Sequence, residues 1–409
     1  MSSLKYWVWL SSIGGFGSVA ALQLLRSFGA PEDVYRAQVA GYRDVEGITS
    51  AVIDQLSNKS IEPANKILSA CLERGYRIIT LQDAEYPDRL RNIYNPPIVM
   101  YVRGNLPAID EEPVVSIVGT RTCTPYGISA AENIGFRLAQ RGVVVATGLA
   151  KGIDSAAARG ALRGGGRVIG IIGSGLDVIY PPGNKTLFDD VAGAGAVLSE
   201  YPPGTPAAAF HFPARNRLLS GISLGVAVIE APKRSGALIT AARALEQGRD
   251  VFALPGNVDA ISCEGSNALL REGAMLILSA EDIISEYEGL YPDKIRPASA
   301  PVTNDTEHTR QSGINQRDNT FDAGVNEKKE IDNLPAVEYI DVEKILDMLT
   351  GDEKTVAKTI GSSALHTDEI IVRTELPAQQ VLTALTMLEI KGCAVHTGGK
   401  FYKLVNPNP

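Results

Sequence analysis

Cysteine and histidine are scarce in this 409-residue chain, and neither shows the spacing of a metal centre. The four cysteines are far apart and form no Cys-x-x-Cys pair, and the four histidines form no cluster. Zinc centres and disulfide frameworks both require such spacing. The composition therefore excludes both classes, and we expect no metal and no cofactor.

Long apolar runs and an excess of positive charge are also missing. No run approaches the roughly 20 residues of a membrane span, and residues 1–10 lack the charged and apolar segments of a signal peptide. We therefore expect a cytoplasmic protein without a membrane partner. The net charge of −8 argues against a broad basic surface for nucleic acid. Residues 113–288 are close to neutral, however, so a local basic pocket is compatible with the composition.

The chain is long enough for several domains, and four segments differ in pattern. Residues 1–60 are predicted to form a small helical domain of the helix-hairpin-helix or SAM-like type, with a glycine-rich hairpin at residues 13–17. Such a hairpin binds a DNA backbone in some proteins, but this one carries no Lys or Arg, which favours a packing or interaction module. The other predicted segments are a Rossmann-like domain at 61–288, a disordered linker at 289–335 and a winged-helix domain at 336–409.

Short β-branched runs alternate with helical segments from residue 113 onwards. The predicted strands are residues 114–118, 143–146, 168–172, 196–199, 225–229, 251–254 and 275–277. Apolar strands separated by helices indicate a mostly parallel sheet covered on both faces. The predicted fold class is therefore α/β, a doubly wound Rossmann-like sheet whose ligands bind beyond the carboxyl ends of the strands. Before it, residues 77–81 and 98–102 are predicted as short strands within a connector.

Glycine, hydroxyl and basic residues follow almost every predicted strand. The candidates for phosphate binding in these loops are Gly119, Thr120, Arg121, Lys151, Gly173, Ser174, Ser235 and Gly236. A single glycine turn is weak evidence, but several such turns with basic residues on one rim predict an anion site. The first turn lacks a full Gly-x-Gly-x-x-Gly, which argues against a dinucleotide cofactor.

A helix is predicted to begin near Pro213, where two rings, an amide and two arginines occur together. Arg215 and Arg217 lie about 200° apart around such a helix, so they point to different faces. We expect Arg215 to face the core and brace a loop through Glu230 or Glu200, which leaves Arg217 as the more exposed ligand contact. The remaining candidates in this stretch are Phe212, either a core ring or a stacking surface for a base, and Asn216.

Acidic and nucleophilic side chains of the rim do not form a catalytic set. Asp154 and Asp177 are either general bases or metal ligands, or else caps of a helix and a turn. The capping interpretation is favoured because no second carboxylate or histidine accompanies them. Ser174 lacks a Gly-x-Ser-x-Gly frame, so we predict no catalytic residue.

The carboxy-terminal segment has the pattern of a winged helix. Helices are predicted at residues 342–349, 367–373 and 378–391, and a hairpin at 392–396 and 400–404 turns at Gly398 and Gly399. Basic residues are few, so duplex binding by this domain does not follow from the sequence.

The motifs together resemble the DprA/Smf DNA-processing family. They are Val118-Gly119-Thr120-Arg121, Gly148-Leu149-Ala150-Lys151-Gly152-Ile153-Asp154, Gly173-Ser174-Gly175-Leu176-Asp177, Phe212-Pro213-Ala214-Arg215-Asn216-Arg217 and Ser235-Gly236-Ala237-Leu238-Ile239-Thr240-Ala241. The resemblance implies a non-enzymatic homodimer that binds and protects single-stranded DNA and loads the RecA recombinase on it during natural transformation. It also implies that Arg121 and the Phe212 to Arg217 run form the strand-binding pocket.

The sequence departs from the family pattern in two places, and two other functions are considered beside strand binding. The family often has histidine at Ala158 and a basic residue near Ala207, Ala208 and Ala209, and each lost phosphate contact weakens binding. One alternative is a nucleotide-processing enzyme similar to the lysine-decarboxylase-like phosphoribohydrolases, whose Pro-Gly-Gly-x-Gly-Thr-x-x-Glu loop is not matched from Ser235 to Thr240. The other alternative is a scaffold without either activity.

Overall fold

The computed structural model describes residues 3–13, 17–297, 349, 351–360, 365–374, 376–391, 393–396 and 401–404. The chain divides into two compact units, Met1–Thr306 and Glu307–Pro409. Most of the predicted hairpin at 13–17 and of the predicted helix at 342–349 lies outside the described residues. Among the residues that are described, no helix is long and apolar enough to cross a membrane.

The first unit contains nine strands in one sheet. They are β1 (Arg77–Thr80), β2 (Val99–Gly104), β3 (Val114–Val118), β4 (Val144–Thr147), β5 (Val168–Ile172), β6 (Ala196–Ser199), β7 (Gly225–Val228), β8 (Asp250–Ala253) and β9 (Met275–Leu276). Their order across the sheet is β1-β2-β6-β5-β4-β3-β7-β8-β9. The seven strands from β3 to β9 pair in parallel, which confirms the predicted doubly wound, mostly parallel fold.

The connector before β3 extends the sheet, a role that its sequence did not indicate. β1 pairs antiparallel with β2, and β2 pairs antiparallel with β6. The side chains of β2 from Val99 to Val102 are buried, as in a strand covered on both faces.

Helices cover the sheet on both faces. They are α1 (Leu4–Ser11), α2 (Ser18–Phe28), α3 (Pro31–Arg36), α4 (Val39–Arg43), α5 (Ser50–Ser57), α6 (Glu62–Glu73), α7 (Asp88–Arg91), α8 (Pro125–Gln140), α9 (Ile153–Arg163), α10 (Lys185–Ala194), α11 (His211–Ile222), α12 (Gly236–Glu246), α13 (Glu264–Arg271) and α14 (Ala280–Tyr287). One continuous hydrophobic core joins the first helices, through Trp7 and Leu24, to sheet residues such as Val115 and Val145. The amino-terminal helices are thus packed onto the α/β domain.

The described residues of the second unit form three helices and a three-stranded sheet. They are α15 (Gly351–Ile360), β10 (Leu365–His366), α16 (Thr367–Thr374), α17 (Ala378–Ile390), β11 (Ala394–His396) and β12 (Phe401–Leu404). β12 pairs antiparallel with β11 and with β10. The predicted helices near 367–373 and 378–391 are present, and the two predicted hairpin strands pair, while their turn at Gly398 and Gly399 lies outside the described residues. The elements α15 and β10 were not predicted. Val356, Ala357 and Ile360 are buried on one face of α15, at a spacing that indicates an amphipathic helix.

Candidate nucleic-acid interface

The order of the strands creates a crevice between β3 and β7. The chain proceeds from β3 to β4 on one side and from β7 to β8 on the other, so the connections diverge above this pair. In open α/β sheets ligands bind at such a point, beyond the carboxyl ends of the strands. The loops after β3 and β7 here line a cavity of about 290 Å³.

One face of α11 forms a wall of this cavity. Phe212, Arg215, Asn216 and Leu219 recur at helical spacing and all line it. The Phe212 ring is partly exposed, with the Arg121 guanidinium 4.8 Å from its centroid and the Tyr180 ring 5.6 Å away. Phe212 is therefore a wall of the cavity rather than a core ring, and it presents a flat surface beside a positive charge.

The amino terminus of α12 forms the opposite wall. The Ser235 hydroxyl caps the helix by accepting a hydrogen bond from the Ala237 N–H at 3.2 Å. The Asn216 side-chain amide donates to the Gly236 carbonyl at 3.1 Å and thereby ties α11 to this helix start. Because a helix amino terminus has unpaired N–H groups and a positive dipole end, the wall favours an anion.

Arg215 braces the crevice from inside. It is 4% exposed and donates from Nη1 to the Ile171 carbonyl, and its neighbouring carboxylate is Asp154, which is 6% exposed. Burial lowers the pKa of Arg215 to about 10, and the Asp154 charge opposes that change. The predicted burial of Arg215 is confirmed, but the predicted partners were wrong. Glu200 pairs with Arg217, and Glu230 instead accepts hydrogen bonds from Thr124 at 3.0 and 3.2 Å.

Asp154 lines the cavity and holds the loop after β4. Its Oδ2 accepts the Gly148 N–H at 3.1 Å, and burial raises its pKa against the opposing effects of Arg215 and backbone N–H groups. Asp177 likewise accepts the Gly204 N–H at 2.7 Å. Within the described part of the chain, no three His, Cys, Asp or Glu side chains lie close enough to hold a metal ion.

Two glycines allow the loops to approach this closely. A Cβ at Gly148 would lie 2.0 Å from Nη1 of Arg215, so a larger residue would displace the guanidinium. Gly152 has φ of +89° and packs against the loop after β3, where a Cβ would lie 2.4 Å from the Thr120 carbonyl oxygen. A side chain is disfavoured there by conformation and by space alike.

Eight of the twelve sequence candidates line the cavity, and four do not. The eight are Gly119, Thr120, Arg121, Phe212, Arg215, Asn216, Ser235 and Gly236. Gly173 lies behind the wall, since a Cβ there would contact Phe212 at 3.3 Å. Ser174 is buried and donates to the Val178 carbonyl at 2.8 Å, whereas Lys151 is exposed outside the cavity.

Arg217 is the more accessible of the two helix arginines, as expected, but it lines a different cavity. Its side chain is only 11% exposed, and its Nη2 donates to both oxygens of Glu200 at 2.7 and 2.6 Å. Arg234 was absent from the predicted set, yet it lines the cavity and is exposed. Its position directly before the Ser235 cap was the signal that could have identified it.

Comparisons with known proteins agree with this architecture. The family model for "DNA recombination-mediator protein A" matches residues 77–288, and that for "DprA winged helix domain" matches 345–400. "Protein Smf" of Synechocystis is 33% identical over 98% of this chain and 99% of its own length. "DNA processing protein DprA" of Streptococcus pneumoniae is 45% identical over 51% of this chain and 73% of its own length. The crystal structure of DprA from that organism covers 69% of this chain and 97% of its own, with 36% identity and a TM-score of 0.62. The chain belongs to the DprA/Smf family of DNA-processing proteins.

Proposed function

We propose that this protein binds single-stranded DNA without sequence preference at the β3–β7 cavity and protects it there. The observation that carries the proposal is the exposed Arg121 guanidinium 4.8 Å from the Phe212 ring, opposite the amino terminus of α12. A cation and a helix start suit a phosphate, and a ring suits the base beside it. Family membership supports a DNA ligand.

The charges of the site favour a single phosphate-bearing strand over a duplex. Arg121 and Arg234 are exposed at the cavity, and neither forms an ion pair with a described residue. Arg215 is buried beside Asp154 and serves as a brace. Two free guanidinium groups suit one or two phosphates, and a flat ring reaches only a base that is unstacked from its neighbours.

The other elements of the proposed role rest on family membership. They are assembly as a homodimer, loading of RecA recombinase on the bound strand during transformation or recombination, and action by binding rather than catalysis. Arg121 and the Phe212 to Asn216 face supply contacts for a strand, while Asp154 and Ser174 are held in structural hydrogen bonds. The nucleotide-processing alternative predicts release of a free base from a nucleoside monophosphate, which a simple assay detects.

The test is titration of a labelled oligonucleotide with the full-length protein over a range of salt concentrations. A single strand releases counterions with a slope of about −0.7 per phosphate contact in a plot of log affinity against log salt. Two contacts predict a wild-type slope of about −1.4. Arg121→Ala is expected to weaken binding and to reduce the slope by about 0.7.

Arg163→Ala is the matched control. Arg163 is 61% exposed and pairs with Glu132 at 2.8 Å. It ends α9, whose first turn adjoins the cavity, so it lies about 15 Å from that end at the helical rise. Arg121→Ala and Arg163→Ala change the net charge equally, so a difference between them in strand binding reports a contact between Arg121 and the strand. Equal binding by Arg121→Ala and wild type would remove this cavity from the proposal.

A further inference from the structure

The opposite face of α11 lines a second cavity, of about 410 Å³. Phe210, Ala214 and Arg217 recur on this face at helical spacing. The other walls come from α1 and α2, from the start of β2 and from the loop after β6. The two cavities therefore flank the first two turns of one helix, which is about 10 Å wide.

An aromatic stack forms one side of the second cavity. The Tyr201 and His211 rings are stacked, with centroids 4.0 Å apart, and Phe210 meets His211 edge-on at 4.4 Å. Phe210 is 75% exposed although it is a large apolar side chain. An exposed ring that is held in place by a second ring is a ready surface for another flat molecule.

Two residues that line the same cavity carry unused hydrogen-bonding groups. Arg217 Nη1 and Asn95 Oδ1 are shielded from solvent, and neither has a hydrogen-bond partner among the described residues. One of these atoms is a donor and the other an acceptor. A buried polar atom without a partner is costly, so a ligand with the complementary pair would be bound preferentially.

The charge of this cavity differs from that of the first one. Glu200 accepts both short hydrogen bonds from Arg217, so the guanidinium is already neutralised. A phosphate would face the Glu200 carboxylate and is disfavoured here. The chemistry fits a neutral, planar molecule whose edge carries a donor and an acceptor.

We propose that the second cavity binds a nucleobase of the same strand whose phosphate lies at Arg121. This inference rests on the proposed function. The base would stack on Phe210 and place its edge toward Arg217 Nη1 and Asn95 Oδ1. Every DNA base carries at least one hydrogen-bond donor and one acceptor on its pairing edge, so the cavity distinguishes a base from an abasic site rather than one base from another.

The experiment compares a natural oligonucleotide with one of equal length and charge made of abasic residues. For the natural strand, Phe210→Ala is expected to weaken binding about tenfold, because the base loses the ring on which it stacks. Phe210→Trp keeps a ring and should retain affinity, whereas Phe210→Leu, which keeps only apolar volume, should not. For the abasic strand, all Phe210 variants should bind like wild type.

Asn95→Ala supplies a second, independent readout. Because Asn95 Oδ1 has no partner among the described residues, its removal breaks no hydrogen bond of the protein that the structure shows. We expect several-fold weaker binding of the natural strand, no change for the abasic strand and an unchanged midpoint of thermal unfolding. Suppose that Phe210→Ala and Asn95→Ala weaken the binding of the natural and the abasic strand equally, or weaken the binding of neither strand. The proposal of a base cavity is then refuted, whereas the proposal of strand binding is not. Absence of strand binding by the wild-type protein would instead refute the proposed function.

Discussion

The buried pair of Arg215 and Asp154 allows a quantitative test of how the crevice is held. Burial lowers the pKa of Arg215 to about 10 even with Asp154 beside it. That lowering corresponds to about 3 kcal/mol by which the folded protein disfavours the charged guanidinium. Asp154→Asn keeps the shape of the side chain but removes the opposing charge. Loss of one partner of a buried pair costs about 3 to 5 kcal/mol, so we expect a destabilisation of about 3 kcal/mol or more.

A double variant, Asp154→Asn with Arg215→Met, lacks both charges of the pair and tests the same reasoning. Arg215→Met removes the buried charge that Asp154→Asn leaves uncompensated, so the double variant should be more stable than Asp154→Asn alone. The measurement is urea unfolding followed by tryptophan fluorescence. Both tryptophans, Trp7 and Trp9, are buried in the compact unit that contains the pair. If the double variant loses the sum of the two single losses within about 0.5 kcal/mol, the pair is not coupled and the brace is refuted.

Two further predictions concern stability and binding. Burial would raise the pKa of Glu112, but Arg167 and Lys294, at 2.6 and 3.0 Å, lower it below the usual 4.5. The ionised Glu112 carboxylate therefore stabilises the fold above pH 4.5, and this stabilisation is lost as the pH falls through the lowered pKa. Glu112→Gln should have a lower free energy of unfolding than wild type at pH 7 but not at pH 2. Phe212→Ala should weaken strand binding by about 1 to 3 kcal/mol without changing the salt slope, and a changed slope in the titration would contradict stacking.

The strands and the location of the site were predictable because they depend on local pattern and topology. All seven predicted strands of the α/β domain occur with ends shifted by one residue at most, for example 114–118 as β3. Parallel strands carry their following loops to one rim, which is why Gly119 to Arg121 and Ser235 to Gly236 meet there. The sheet position of β2 was not predictable in this way, because antiparallel pairing with β6 depends on contacts distant in sequence.

The sequence alone could not predict which carboxylates pair with Arg215 and Arg217. Helical spacing correctly separates Arg215 from Arg217, but several carboxylates follow strands of the same rim, and only their positions in space decide between them. Asp154 reaches Arg215 because Gly148 leaves room for the guanidinium, and Glu200 reaches Arg217 from the loop after β6.

These pairings also make the proposed binding of an anionic strand compatible with an acidic protein. The net charge of −8 describes the whole surface, whereas a phosphate at the crevice responds mainly to the groups within about 8 Å of it, the screening length in physiological salt. Of the four guanidinium groups that line the two cavities, two are matched by Asp154 and Glu200, and both of these are largely buried. The remaining two, Arg121 and Arg234, are exposed at the cavity that also contains the start of α12. Attraction therefore depends on few charges, which is why a shallow salt dependence, rather than the steep one of a basic surface, is the signature to expect.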